Sequence, residues 1–60
     1  MGTIEEATAA YLNYCRRYGL VQQQPCSTCS EVCKDHVILR NVNGMLATWY
    51  PDDGMLILAE

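Results

Sequence analysis

The chain has 60 residues, half of them apolar and 18% charged, with a formal net charge of −3. This composition excludes a disordered tail and predicts one small globular domain spanning residues 1–60. The acidic balance argues against a nucleic-acid partner, because proteins that follow phosphates carry a basic patch. A core of this size is marginal, so we expect stabilisation by a metal, by disulfides or by self-association.

The apolar residues are scattered in short runs. None approaches the roughly 18 residues that cross a membrane, and no basic and apolar leader precedes them. We therefore expect a cytoplasmic protein with no membrane partner. In that compartment thiols stay reduced, and clustered cysteines favour metal or redox chemistry over disulfides.

The first predicted element is an amphipathic helix over about residues 3–18. Thr3 and Glu6 form a capping-box pattern at its start, and Gly19 is a typical stop signal at its end. At 100° per residue one face collects apolar and aromatic side chains, and the other face collects charged ones. The buried face is predicted to carry Ile4, Ala7, Thr8, Tyr11, Tyr14, Cys15 and Tyr18.

The segment 19–36 is predicted to be a cysteine-rich connecting loop. Gln22-Gln23-Gln24-Pro25 indicates extended backbone, since a residue before proline avoids helical geometry. The residues after Pro25 show no helical or strand periodicity. Three of the four cysteines and the single histidine lie in this segment.

Three strands are predicted at 37–42, 45–50 and 55–59. Asn43-Gly44 predicts a type I′ hairpin turn, and Pro51-Asp-Asp-Gly54 predicts the second turn. The predicted fold class is therefore α+β: one N-terminal helix packed on a three-stranded antiparallel meander, joined to it by the cysteine-rich loop.

A two-residue Asn-Gly loop places Val42 opposite Met45 and Ile38 opposite Trp49. Neither face of the resulting sheet is polar, and one helix covers only one face. The second face is then either an exposed apolar surface, which typically marks an interface, or is closed by loop 20–36. Trp49 and Tyr50 lie on opposite faces, so one is expected in the core and the other is a candidate binding anchor.

The cysteines allow a zinc site. Cys26, Cys29, Cys33 and His36 have ligand-like spacing, with Cys15 as an alternative fourth ligand, but most zinc folds separate their two half-sites more widely. Inert buried or loop thiols are the simpler interpretation, and disulfides are a third. Redox chemistry at Cys26-Ser-Thr-Cys29 is disfavoured because no strand precedes the pair.

No catalytic constellation is visible, so we expect no enzyme. Asp35 and His36 would point to opposite faces of a strand. The leading hypothesis is a non-enzymatic protein-binding or regulatory inhibitor module that binds another protein or a second copy of itself. The alternative is a small zinc-stabilised domain linked to nucleic acid, and the third is a thiol redox module. The predicted partner-binding residues are Trp49, Tyr50, Leu39 and Leu46.

Overall fold

One helix packs on one face of a four-stranded antiparallel sheet in the computed structural model, which describes residues 2–59. The sheet has the order β1-β2-β3-β4. The α+β class is confirmed. The strand count is wrong, because a short additional strand lies within the predicted cysteine-rich loop, which is not confirmed as such. The elements are α1 (Ile4–Tyr18), β1 (Glu31–Val32), β2 (Val37–Asn41), β3 (Gly44–Tyr50) and β4 (Met55–Leu58).

Both ends of α1 are capped by the predicted residues, Thr3 and Gly19. The Thr3 hydroxyl accepts a hydrogen bond from the Glu6 amide at 3.0 Å. Gly19 has a φ of 67°, and the next amide, that of Leu20, donates to the Cys15 carbonyl at 2.8 Å. Each contact gives a hydrogen-bond partner to a backbone group, the Glu6 N–H or the Cys15 C=O, at an end of the helix. The helix, the one helical element in the described range, is too short and too polar to cross a membrane.

The N-cap gives a first testable prediction. Thr3→Ala removes the acceptor for the Glu6 amide, and it should lower the free energy of unfolding by about 1 kcal/mol. Urea denaturation followed by circular dichroism measures the change. Thr8→Ala, a matched change inside the helix, should cost nothing, since alanine has the higher helix propensity. Equal losses in the two variants would contradict the capping role.

The β2–β3 hairpin differs from its prediction. Asn41 pairs with Gly44, so the two loop residues are Val42 and Asn43, both with negative φ. A type I′ turn needs positive φ at both central residues and is therefore wrong here. The Asn41 side chain accepts the Asn43 amide at 2.9 Å, and Gly44 takes the positive φ of 132°. The turn thus begins one residue earlier than predicted.

A β-bulge follows this turn and changes which residues share a face. The register shifts between Leu39 and Arg40, and beyond it Val37 pairs with Trp49. The predicted pairing of Ile38 with Trp49 is wrong, because Ile38 pairs with Thr48. The extra residue is Leu46, which is buried in the core beside Ala47.

The core lies between α1 and the inner face of the sheet. Leu39, with 0% of its surface exposed, is the largest fully buried side chain. Tyr18, which the helical pattern also assigned to the buried face, is exposed and stacks on Tyr14 instead. The buried apolar residues are Ala7, Tyr11, Cys15, Val37, Leu39, Leu46 and Ala47. Partly buried residues packed against them are Ile4, Leu12, Trp49, Leu56 and Leu58.

The connector between α1 and β1 lies on the helix side of the sheet. Leu20, Val21 and Gln23 share a pocket with core residues, and a second pocket beside the first turns of α1 is bordered by Gln24, Pro25 and Ser27. The Gln23 side chain accepts a hydrogen bond from Asn41 at 3.0 Å. Apart from Met45, which borders the first of these pockets, none of these contacts involves a residue of the outer face. The contacts of the connector within residues 2–59 therefore do not supply the loop cover that the sequence left open.

Candidate functional site

The outer face of the sheet presents an apolar surface. Three of its side chains are about half exposed: Met45 at 47%, Met55 at 46% and Ile57 at 50%. Thr48 lies on β3 at the centre of this face, with β2 and β4 on either side, and it is buried. The β1 margin is charged, where Arg40 forms an exposed ion pair with Glu31 at 3.6 Å. We call the apolar part the outer patch; it consists of Ile38, Met45, Thr48, Tyr50, Met55 and Ile57.

Strand β4 is one edge of the sheet, and the ladder shows which of its backbone groups are unpaired. The Ala59 amide donates to the Leu46 carbonyl at 2.9 Å, flanking the Ala47–Leu58 pair. Antiparallel hydrogen bonding alternates along a strand. Ile57 and Ala59 therefore direct their backbone groups to β3, whereas Leu56 and Leu58 direct theirs to the open edge. Two N–H and two C=O groups are presented there.

This edge lacks the usual protection against pairing. Edge strands are commonly blocked by lysine, proline or inward-pointing charge. The sequence Met55-Leu-Ile-Leu58 contains none of these. A groove of about 550 Å³ runs between the edge and α1. Its lining includes Tyr14, Tyr18, Trp49 and Leu56, together with the polar residues Asn13, Arg17 and Asp53. The open edge therefore has mostly apolar surface on both sides.

The four predicted partner-binding residues separate into core and surface. Leu39 is fully buried and Leu46 is 8% exposed, and both belong to the core. Trp49 is half-buried against the inner side, with its indole N–H buried and lacking a hydrogen-bond partner within the described range. Tyr50 lies on the outer patch and stacks on His36, with ring centroids 5.4 Å apart. Tyr50 is thus the one of the four that belongs to the outer patch.

The predicted zinc ligands form two separate pairs. The Cys26 amide donates to the Arg40 carbonyl, and the Cys33 amide donates to the His36 carbonyl. Because residues 36 and 40 are four positions apart on extended backbone, these anchor points are about 13 Å apart. Sulfurs that share one zinc through bonds of about 2.3 Å are roughly 4 Å apart. No group of three or more metal-ligating side chains occurs within residues 2–59.

Cys15, the alternative fourth ligand, lies in the core. It is 1% exposed and neighbours Tyr11 one turn earlier on α1. Burial raises the pKa of the Tyr11 hydroxyl, and its hydrogen bond with the Cys15 thiol raises that pKa further. These contacts are those of a small buried side chain that packs the helix against the sheet.

Asp35 and His36 interact, contrary to expectation. The His36 Nδ1 and the Asp35 Oδ1 are 2.6 Å apart. They meet because Asp35 lies in the bend before β2 rather than in a strand, so strand alternation does not separate them. The hydrogen bond with His36 lowers the pKa of the Asp35 carboxyl. The hydrogen bond orients the His36 ring, which stacks on Tyr50.

The sequence signals for this site were uneven. The open β4 edge was visible as an uncharged apolar strand next to the C-terminal end, but only the sheet order identifies it as an edge.

Comparisons of the chain with protein-family models, with curated proteins and with solved structures gave no match.

Proposed function

We propose that this chain is a non-enzymatic protein-binding module of the regulatory or inhibitor type, which binds by adding a strand to the open edge of β4. The observation that supports this proposal is the uncharged edge itself. Its two N–H and two C=O groups, at Leu56 and Leu58, are unpaired in the described sheet, and an exposed apolar edge of this kind is a template for another strand.

The partner that we assign to the edge is a second copy of the chain, because β4 is complementary to itself. An antiparallel pair with its two-fold axis at Ile57 places Leu56 opposite Leu58 of the second copy. Those are the residues whose backbone groups face outward, so all four groups on each strand form hydrogen bonds. Such a symmetric contact closes on itself and gives a dimer rather than a fibre.

The side chains around the axis support the same arrangement. Ile57 would meet Ile57 of the second copy on the outer face, extending the outer patch across both sheets. On the inner face, Leu56 and Leu58 of the second copy would reach the groove beside Trp49 and Tyr14. Association would thus bury apolar surface on both sides of the new strand pair. For a domain of this size, such burial supplies stability that a single small core lacks.

Sedimentation equilibrium tests the assignment. The parent chain should show a reversible monomer–dimer equilibrium. Ile57→Lys places two lysines opposite each other at the axis, and it should weaken association about tenfold or more, since it removes apolar contact and adds like-charge repulsion. Met45→Lys adds the same charge at a similarly exposed position one strand further from the edge, and it should leave the dimer intact.

Two outcomes would contradict this arrangement. A monomer at all concentrations would exclude the second copy and leave a foreign strand as the only partner for the edge. Equal losses in Ile57→Lys and Met45→Lys would place the contact on the sheet face instead. An unfolded Ile57→Lys variant is recognised by circular dichroism. In that case Ile57→Thr, which keeps β-branching but reduces apolar contact, replaces it and should still weaken the dimer.

Ionic strength gives an additional prediction. Each copy carries a net charge of −3, so the two copies repel one another. Salt screens charges separated by more than the Debye length, about 10 Å at 0.1 M. The dimer dissociation constant should therefore fall as sodium chloride is raised from low to physiological concentration. A dissociation constant that rises with salt would indicate a contact between opposite charges and would contradict the apolar edge.

A further inference from the structure

Cys26 and Cys29 lie at the two ends of one turn. The Cys26 carbonyl accepts hydrogen bonds from the Cys29 amide at 3.2 Å and from the Ser30 amide at 2.9 Å. Residues three apart in such a turn have Cα atoms within about 7 Å, which overlaps the range of roughly 4.4–6.8 Å that a disulfide spans. Both cysteines are free and partly buried.

The turn is fixed to the neighbouring strand. The Cys26 amide donates to the Arg40 carbonyl at 2.7 Å. The Ser30 hydroxyl donates to the Cys26 carbonyl at 2.7 Å and accepts the Arg40 amide at 3.0 Å. Ser30 therefore bridges the turn and β2. The two thiols are held near each other by backbone contacts that the formation of a bond between them need not break.

The surroundings distinguish the two thiols from each other. The Cys26 sulfur lies 3.0 Å from the Thr28 hydroxyl. This hydrogen bond, together with one from Cys29, lowers the pKa of Cys26 to about 7. The neighbouring Cys26 raises the pKa of Cys29. At pH 7 a thiol with this pKa is about half in the thiolate form, the nucleophilic form, whereas the raised pKa of Cys29 favours the protonated thiol.

We propose that Cys26 and Cys29 form a reversible thiol–disulfide exchange site, in which Cys26 attacks a low-molecular-weight disulfide and Cys29 resolves the product. The site lies on the opposite margin of the sheet from β4, so it is independent of strand addition at that edge. Cys33 and Cys15 take no part, because Cys33 lies at the far end of β1 and Cys15 is enclosed in the core.

The exchange proceeds in two balanced steps. The Cys26 thiolate forms a bond to one sulfur of the external disulfide, whose S–S bond breaks and releases one thiolate. Cys29 then loses its proton and attacks the Cys26 sulfur, releasing the second external thiolate. Overall the cysteine pair is oxidised by two electrons, the external disulfide is reduced to two thiols, and the two thiol protons end on the released thiols.

Oxidised glutathione is the probe, used with the reduced full chain at pH 7. The expected product has lost two hydrogen atoms and carries a Cys26–Cys29 disulfide by peptide mapping, with Cys15 and Cys33 still free. Cys29→Ser should stop at a mixed disulfide on Cys26, because the resolving thiol is absent. Cys33→Ser is the matched control and should oxidise as the parent does. Absence of an intramolecular bond, or a bond to Cys33, would overturn the proposal.

The pH profile separates an activated Cys26 from an ordinary surface thiol. The rate at which oxidised glutathione modifies Cys26 in Cys29→Ser should rise with pH with a midpoint close to 7. An ordinary thiol, with a pKa of about 8.5, is only a few per cent thiolate at that pH. A Cys26 rate equal to that of Cys33 would also overturn the proposal.

Substitution of Thr28 tests whether its hydroxyl lowers the pKa of Cys26. Thr28→Val removes the hydroxyl beside Cys26 and keeps the shape of the side chain. It should move the midpoint upward and slow exchange at pH 7, by up to about tenfold. Thr28→Ser restores the hydroxyl and should restore the rate. An unchanged midpoint in Thr28→Val would contradict the role of the hydroxyl that the geometry assigns.

Discussion

Leu39→Ala should lower the free energy of unfolding by about 2–5 kcal/mol, the range measured for large-to-alanine changes in closed cores. Leu39 is the largest fully buried side chain and lies under α1 at the centre of β2. Native proteins have roughly 0.05–0.15 kcal/mol of stability per residue, or ~3–9 kcal/mol for this chain. The variant should therefore lose a large share of its stability, as measured by near-ultraviolet circular dichroism and urea titration.

Ile38→Ala is the matched control for that experiment. Ile38 is the adjacent residue on the same strand, but it lies on the outer face and is only partly buried. Its truncation should cost less than half as much. The comparison also tests the sequence-based prediction that Leu39 contacts a partner. A folded Leu39→Ala protein of normal stability with weakened association would mean that Leu39 faces outward, against the structure.

Gly44→Ala should destabilise the chain by about 1–3 kcal/mol, the usual cost of holding a residue with a side chain in a sparsely populated backbone region. The φ of Gly44 is 132°, a value that residues with a Cβ rarely adopt. The strain is in the backbone alone, because a Cβ at this position would meet no atom within 4 Å. Urea denaturation again measures the loss.

Asn43→Ala separates the observed turn from the type I′ turn that the sequence predicts. In the structure Asn43 has negative φ, and its substitution should change stability by a few tenths of a kcal/mol, as expected for an exposed site without strain. In a type I′ turn Asn43 would have positive φ, and alanine would cost about as much there as at Gly44. Comparable losses at the two positions would therefore contradict the observed turn.

The helix was predictable because its signals are local. Thr3 and Gly19 act on backbone groups within one turn of themselves, so the residues near each end specify the caps. The alternation of inward-facing and outward-facing side chains along β3 and β4 is a similarly local signal. The second turn also follows its sequence, with the Gly54 amide donating to the Pro51 carbonyl at 3.3 Å.

The register was not predictable from the Asn-Gly signal. The Asn41 side chain binds the Asn43 amide and shifts the turn by one residue. Leu46 then occupies a bulge, which is stabilised because its side chain is buried in the core that includes Tyr11 and Cys15. This burial exists only when α1 covers the sheet, so the bulge cannot be predicted from a short window of sequence. A shift of one residue exchanges the faces of a strand, which places Trp49 beside Val37 rather than Ile38.

The short strand β1 in the cysteine segment could not be predicted for a related reason. β1 has only two residues, Glu31 and Val32, and shows no periodicity of its own. Its position is specified by contacts with β2, chiefly through Ser30 and Arg40. The spacing of the cysteines therefore suggested one cluster, whereas the hairpin separates Cys26 and Cys29 from Cys33 and His36.

Amide hydrogen exchange at Leu56 and Leu58 tests the proposed dimer most directly. In the monomer these two amides face solvent, whereas the intervening Ile57 amide is bonded to β3. We expect Leu56 and Leu58 to exchange rapidly in dilute protein and to become protected as concentration rises, while Ile57 is protected throughout. Rapid exchange of Leu56 and Leu58 at every concentration, including those at which sedimentation shows a dimer, would contradict strand addition at β4.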